Sequence, residues 1–132
     1  VARVINIKTV GEKSIATLSG SSFNTNPTSG KINLPITVFH SDQSEPMERY
    51  EDLDMAGYTC IESDYLYKNY SGLLSVGDFI VFDSAGSYSV VMKPPFIMPN
   101  VPILELNGDQ TVRVIKRQET FEDVFCTYQM EF

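Results

Sequence analysis

Apolar and polar residues alternate in short runs along this chain, and Gly, Pro, Asn and Asp separate the runs. Arg3 to Val10 sets Val4, Ile5 and Ile7 among polar neighbours, Gly11-Glu12-Lys13 follows as a turn, and Ser14 to Leu18 reads as the returning strand of a hairpin. Ser19 to Gly30 is turn chemistry throughout, small and polar with Asn, Pro and Gly. Ile32 to Phe39 is rich in β-branched and aromatic residues, with Pro35 marking an edge or an irregular start. Asp42 to Asp54 is acidic without a clear period and is predicted as a loop or short exposed segment. Tyr58 to Ile61 reads as a brief strand, and Ser63 and Asp64 are residue types that open a capped turn before Tyr70.

Further along, Gly77-Asp78 forms a turn before Phe79 to Phe82, an apolar run that predicts a strand buried on both faces. Asp83 to Gly86 is a second turn, and Tyr88 to Met92 reads as another strand. Pro94-Pro95 and Pro99 break the chain around Phe96-Ile97-Met98. Val101 to Leu106 and Thr111 to Lys116 flank Asn107-Gly108-Asp109, a hairpin signal, and Thr120 to Asp123 has the Thr-x-x-Asp spacing of a helix start. The sum is roughly eight short strands and one or two short helices, a mostly β Greek-key barrel or sandwich. An immunoglobulin-type sandwich is disfavoured because the chain contains no Trp.

Length and charge narrow the function. A chain of 132 residues is the size of a single domain. A formal net charge of −7 speaks against nucleic acid and anionic membrane surfaces as partners, since both require a basic face. No apolar run approaches the length of a membrane span. The first residues, Val1-Ala2-Arg3-Val4, lack Met and suggest a processed chain or one cut from something longer. Cys60 and Cys126 read as reduced thiols, which predicts a cytoplasmic location, and with His40 far from both in sequence no metal site is expected.

Candidate chemistry concentrates in Gly57 to Asp64, GYTCIESD, where a cysteine precedes two carboxylates. Cys60 taken alone reads as a small core residue, and the nearby anions Glu62 and Asp64 argue against a thiolate nucleophile. Glu62 and Asp64 are either solvated, or partners for a cationic group on a substrate. Tyr88, in GSYS, is either a packing residue or a hydroxyl offered to an anion such as phosphate. His40 reads as a surface or half-buried histidine, and Phe23-Asn24 after Gly20-Ser21-Ser22 as a flexible polar site with no chemistry of its own.

The order of these segments is similar to the C-terminal β domain of the fold-type III pyridoxal-phosphate decarboxylases, the diaminopimelate, ornithine and arginine decarboxylase group. The resemblance rests on CIESD (Cys60 to Asp64), GDFIVFDSAGSYS (Gly77 to Ser89) and RQETFEDVF (Arg117 to Phe125), with RVINIK and GSSFN upstream. It implies that the chain, residues 1–132, is the C-terminal part of a larger two-domain enzyme whose N-terminal α/β barrel supplies the lysine that holds pyridoxal 5'-phosphate. It further implies a homodimer in which Cys60 reaches into the partner's site as the catalytic thiol. Tyr88 would bind the cofactor phosphate, and Asp64 and Glu62 would face a small amino-acid substrate.

In the diamino-acid enzymes of this group the residue after the cysteine is Glu or Asp, which grips the substrate's distal amine. Here it is Ile61, an apolar residue that also resembles the carboxynorspermidine decarboxylase branch. On a strand Glu62, one residue later, would face the other way, so either a shifted or bulged backbone lets Glu62 serve or the enzyme does not grip a distal ammonium at this position. The fragment alone would be inactive. A non-catalytic β-sandwich binding module, with Cys60 in its core, is the alternative.

Overall fold

Ala2 and Val4 point inward from the strand β1 (Ala2–Val10), and Ala16 and Leu18 do so from β2 (Lys13–Leu18). The two strands are joined by the two-residue loop Gly11-Glu12, where Gly11 takes φ +63, a conformation that glycine adopts without steric cost. A computed structural model of the chain describes residues 1–27, 32–42 and 47–129. The chain divides into two compact units, Val1–Lys93 and Pro94–Phe132.

The first unit is a six-stranded, barrel-like sheet. In addition to β1 and β2 it contains β3 (Ile36–Phe39), β4 (Glu48–Ala56), β5 (Tyr65–Leu74) and β6 (Phe79–Phe82), in the order β3-β6-β1-β2-β4-β5. All neighbours are antiparallel except β2 and β4, which run parallel. Leu53, Met55, Leu66, Leu74, Ile80 and Phe82 complete the core begun by β1 and β2. The register between β4 and β5 shifts three times, at Tyr50/Leu53, Leu53/Met55 and Met55/Ala56, and such irregularities bend a strand pair and increase its twist.

Mostly β architecture, two short helices and the first hairpin agree with the sequence, and β3 begins directly after Pro35. Six local expectations change. The acidic stretch expected as a loop contains β4: Leu53 and Met55 turn inward, while Asp52 and Asp54 face Lys13 at 2.5 and 3.1 Å. Residues 63 and 64 lead into the strand β5, not into a capped turn. Residues 58–61 and 88–92 form bends and turns, the latter closed by the amides of Val91 and Met92 donating to the Tyr88 carbonyl. Finally, β6 is buried through Ile80 and Phe82 only, with Phe79 exposed. Ser19 to Gly30, expected to be turns, contains the single-turn helix α1 (Ser22–Thr25), and residues 28–30 of that stretch lie outside the described residues.

The second unit holds the predicted hairpin, β7 (Ile103–Leu106) paired with β8 (Val112–Lys116), and the helix α2 (Phe121–Phe125). Thr120 caps α2 as its spacing implied: its hydroxyl accepts from the Asp123 amide while the Asp123 carboxylate accepts from the Thr120 amide. Arg117 clamps the same carboxylate through two nitrogens, at 2.5 and 2.8 Å. The RQETFED stretch therefore builds a capped turn.

Candidate active-site loop

Residues 57–64 connect β4 to β5, and the loop is organised from its last residue. Asp64 is 3% exposed. Its Oδ1 accepts from the Ser21 hydroxyl (3.0 Å), the Ser22 amide (2.7 Å) and the Ser22 hydroxyl (2.8 Å). Its Oδ2 accepts from the Thr59 hydroxyl (2.6 Å) and, more weakly, the Thr59 amide (3.3 Å). Burial by itself pushes the carboxyl up, but the bonds from Thr59, Ser22 and Ser21 outweigh it and hold the group below the ordinary aspartate value.

Gly57 is required here by space. A Cβ at this position would lie 2.1 Å from Asp64 Oδ2, and the Gly57 amide donates to the Asp64 carbonyl at 2.8 Å. Ser21 is itself fixed as the cap of α1, in a reciprocal pair with Asn24.

Above this anchor the loop opens to solvent. Cys60 is exposed with a free thiol, and Ile61, Glu62 and Ser63 are exposed as well. Ile61, Glu62, Ser63, Tyr65 and Lys68 line an open cavity of about 600 Å³. Because residues 58–63 are not a strand, the two-residue alternation that would send Ile61 and Glu62 to opposite faces does not operate, and both reach the same cavity. The Lys68 ammonium sits 4.3 Å from the centre of the Tyr65 ring.

The structure thus gathers Cys60, Glu62 and Asp64 on one loop, with Asp64 turned inward and its acceptor sites occupied by the protein's own donors. The core position that Cys60 suggested in isolation is corrected, since the thiol is at the surface. Tyr88 lies elsewhere in the first unit, on a tight turn with φ +61, and the residue is 59% exposed. His40 is half-exposed and bonds through Nδ1 to the fully buried Asp78 at 2.9 Å; Asp78 also accepts from the Ser41 and Ser75 amides, closing the turn before β6. Sequence reasoning missed Ser21, Ser22, Thr59 and Gly57 as partners of this loop. The Ser-x-x-Asn spacing of Ser21 and Asn24 was the available signal.

The sequence profile of the family described as "Pyridoxal-dependent decarboxylase, C-terminal sheet domain" matches residues 1–86. The chain belongs to this family. Among solved structures it is similar to diaminopimelate decarboxylase from Helicobacter pylori complexed with L-lysine, at 21% identity and a TM-score of 0.77 over 96% of this chain and 30% of that one. It is also similar to carboxynorspermidine decarboxylase from Campylobacter jejuni complexed with norspermidine, at 22% identity and a TM-score of 0.75 over 96% of this chain and 37% of that one. A third is the Paramecium bursaria Chlorella virus arginine decarboxylase bound to agmatine, at 21% identity and a TM-score of 0.58 over 73% of this chain and 26% of that one. At these identities the likeness is one of fold. A comparison with curated proteins gave no match. The chain spans about a third of the length of the decarboxylases it resembles.

Pyridoxal phosphate, which the family implies, needs an amine for its aldehyde and donors for its phosphate. This sheet domain offers a donor for the second, and three of its described lysines are engaged elsewhere. Lys13 is tied to Asp52 and Asp54, and its hydrogen bond to Asp52 pushes the amine up, the reverse of what a nucleophilic amine requires. Lys68 lies over Tyr65, and Lys116 pairs with Glu119 at 3.0 Å. Tyr88 is exposed and carries a hydroxyl, a donor of the kind that a phosphate oxygen accepts from.

Proposed function

We propose that this chain is the C-terminal part of a cytoplasmic, homodimeric pyridoxal-phosphate-dependent decarboxylase acting on a diamino acid or a carboxylated polyamine. The observation that carries this reading is the outward-facing Cys60 on a loop anchored from within, in a chain of the decarboxylase sheet-domain family. The cofactor, when bound, supplies an electron sink for the pair left behind by the departing carboxylate. Cys60 of one subunit would deliver its thiol proton to the carbon that has lost carboxylate in the partner's site. Tyr88 donates its hydroxyl to the phosphate.

Glu62 is the group on this loop that pairs with a distal ammonium, and Ile61 packs beside it against the substrate's carbon chain. L-lysine and norspermidine, with which the similar structures are complexed, each carry an amine remote from the other end of the molecule, which supports a substrate of this class. The chain's own N-terminal barrel domain supplies the amine that holds the cofactor, so the 132 residues alone are inactive.

The test is made in the full-length protein. Cys60→Ala is expected to lower kcat by about 10²- to 10⁴-fold, the range for loss of a general acid, with little change in KM. Mixing Cys60→Ala subunits with subunits lacking the barrel lysine is expected to restore activity, because each hybrid dimer holds one intact shared site. Full activity of Cys60→Ala, or turnover by the 132-residue chain with added cofactor, overturns the assignment.

A further inference from the structure

We infer that Asp64 is a positioning residue: a buried anchor that sets the direction of the Cys60 thiol without touching the substrate. The role of that thiol rests on the proposed decarboxylase; the anchoring itself rests on geometry alone.

Cys60 is exposed, yet both of its chain neighbours are tied to Asp64. On one side, Thr59 donates its hydroxyl and its amide to Oδ2. On the other, the Ile61 carbonyl accepts from the Asp64 amide at 2.9 Å, and the Ile61 amide donates to the Thr59 hydroxyl oxygen at 3.4 Å. The loop is therefore a closed ring of hydrogen bonds, with Cys60 at its outer edge and Asp64 at its hub. The other carboxylate oxygen fastens this ring to the sheet domain through Ser21 and Ser22, and the Tyr58 amide adds a bond to the Gly20 carbonyl at 3.2 Å.

A carboxylate has about four lone-pair directions, and five donors already converge on this one. It has no acceptor capacity left for a substrate ammonium. What it can do is fix the backbone on both sides of the thiol, and a proton donor misplaced by about 1 Å loses on the order of 100-fold in rate.

The experiment uses the full-length protein and two readouts. One is the alkylation rate of Cys60, followed by peptide mass spectrometry with Cys126 of the same molecule as the internal reference. The other is the separation of kcat from KM. Asp64→Asn and Thr59→Val are each expected to change the Cys60-to-Cys126 alkylation ratio by about tenfold and to lower kcat by about 10- to 100-fold, with KM within about twofold. Thr59→Ser, which keeps the hydroxyl, is expected to return both readouts to wild-type values.

Wild-type alkylation and kcat in Thr59→Val overturns the proposal, as does an Asp64→Asn protein whose KM rises while kcat holds, which would make Asp64 a substrate ligand. If Asp64→Asn does not fold, the Thr59→Val and Thr59→Ser pair decides. If the wild-type protein turns over no diamino acid or carboxylated polyamine, the decarboxylase reading fails while the alkylation ratios still decide the anchoring.

Discussion

Gly57→Ala puts a methyl group where the Asp64 carboxylate now sits, 2.1 Å from Oδ2, 2.5 Å from Cγ and 2.6 Å from Oδ1. Neither side yields easily. The carboxylate is held by Ser21, Ser22 and Thr59, and Gly57 is held by its amide on the Asp64 carbonyl. Overpacking of this kind costs about 1–3 kcal/mol, and each charge-assisted bond given up as the carboxylate retreats costs about 1.5–3 kcal/mol. With one such bond lost, the expected destabilisation is about 3–5 kcal/mol, a large share of the ~5–15 kcal/mol that holds a typical domain together. Urea unfolding of the 132-residue chain, followed by circular dichroism, measures it.

A double-mutant cycle isolates the cause. In an Asp64→Ala background the methyl group at residue 57 has no carboxylate to meet, so Gly57→Ala then adds less than about 0.5 kcal/mol, the usual size for a substitution that disturbs no specific contact. A Gly57→Ala chain as stable as wild type would refute the argument, and so would full additivity of the two substitutions.

Other consequences can be checked more briefly. Burial, and then the hydrogen bond to Glu48, push the Tyr50 hydroxyl up to about 12; it should ionise last in an ultraviolet titration, and Tyr50→Phe should remove that component. This shift favours the folded state below the ordinary tyrosine value near 10, and the advantage is lost as pH rises toward 12. For Asp64 the sign is opposite: its folded value lies below the unfolded value of about 3.9, so its contribution is complete above that pH and disappears as pH falls through the folded value. The acid limb of a stability-versus-pH curve should flatten in Asp64→Asn. Thr120→Ala removes the cap of α2 and should cost about 1 kcal/mol, seen as faster amide exchange at Asp123 and Val124.

The sequence made the hairpins and the capped helix legible because their signals are local: Gly11-Glu12, Asn107-Gly108-Asp109 and Thr120-x-x-Asp123 each act within a few residues. The strand β4 was hidden because Asp52 and Asp54 gave it the composition of a loop, and the reason for those acids, Lys13 on the neighbouring strand, is nearly forty positions away in the chain. The candidate site divides in the same way. Cys60 and Glu62 could be named from the run CIESD, but the inward turn of Asp64 depends on Ser21 and Ser22, whose distance in sequence conceals the contact. The two-residue period of a strand does not apply to Ile61 and Glu62, which lie on a loop.

The division of labour within GYTCIESD has a practical consequence for altering this protein. Gly57, Thr59 and Asp64 carry the architecture of the loop, whereas the side chains of Ile61 and Glu62 contribute none of its internal bonds and face the cavity. On the proposed decarboxylase reading, selectivity and foldability are written at different positions of the same eight residues. A library varied at 61 and 62 alone can explore new amine-bearing substrates while the scaffold beneath the thiol stays unchanged.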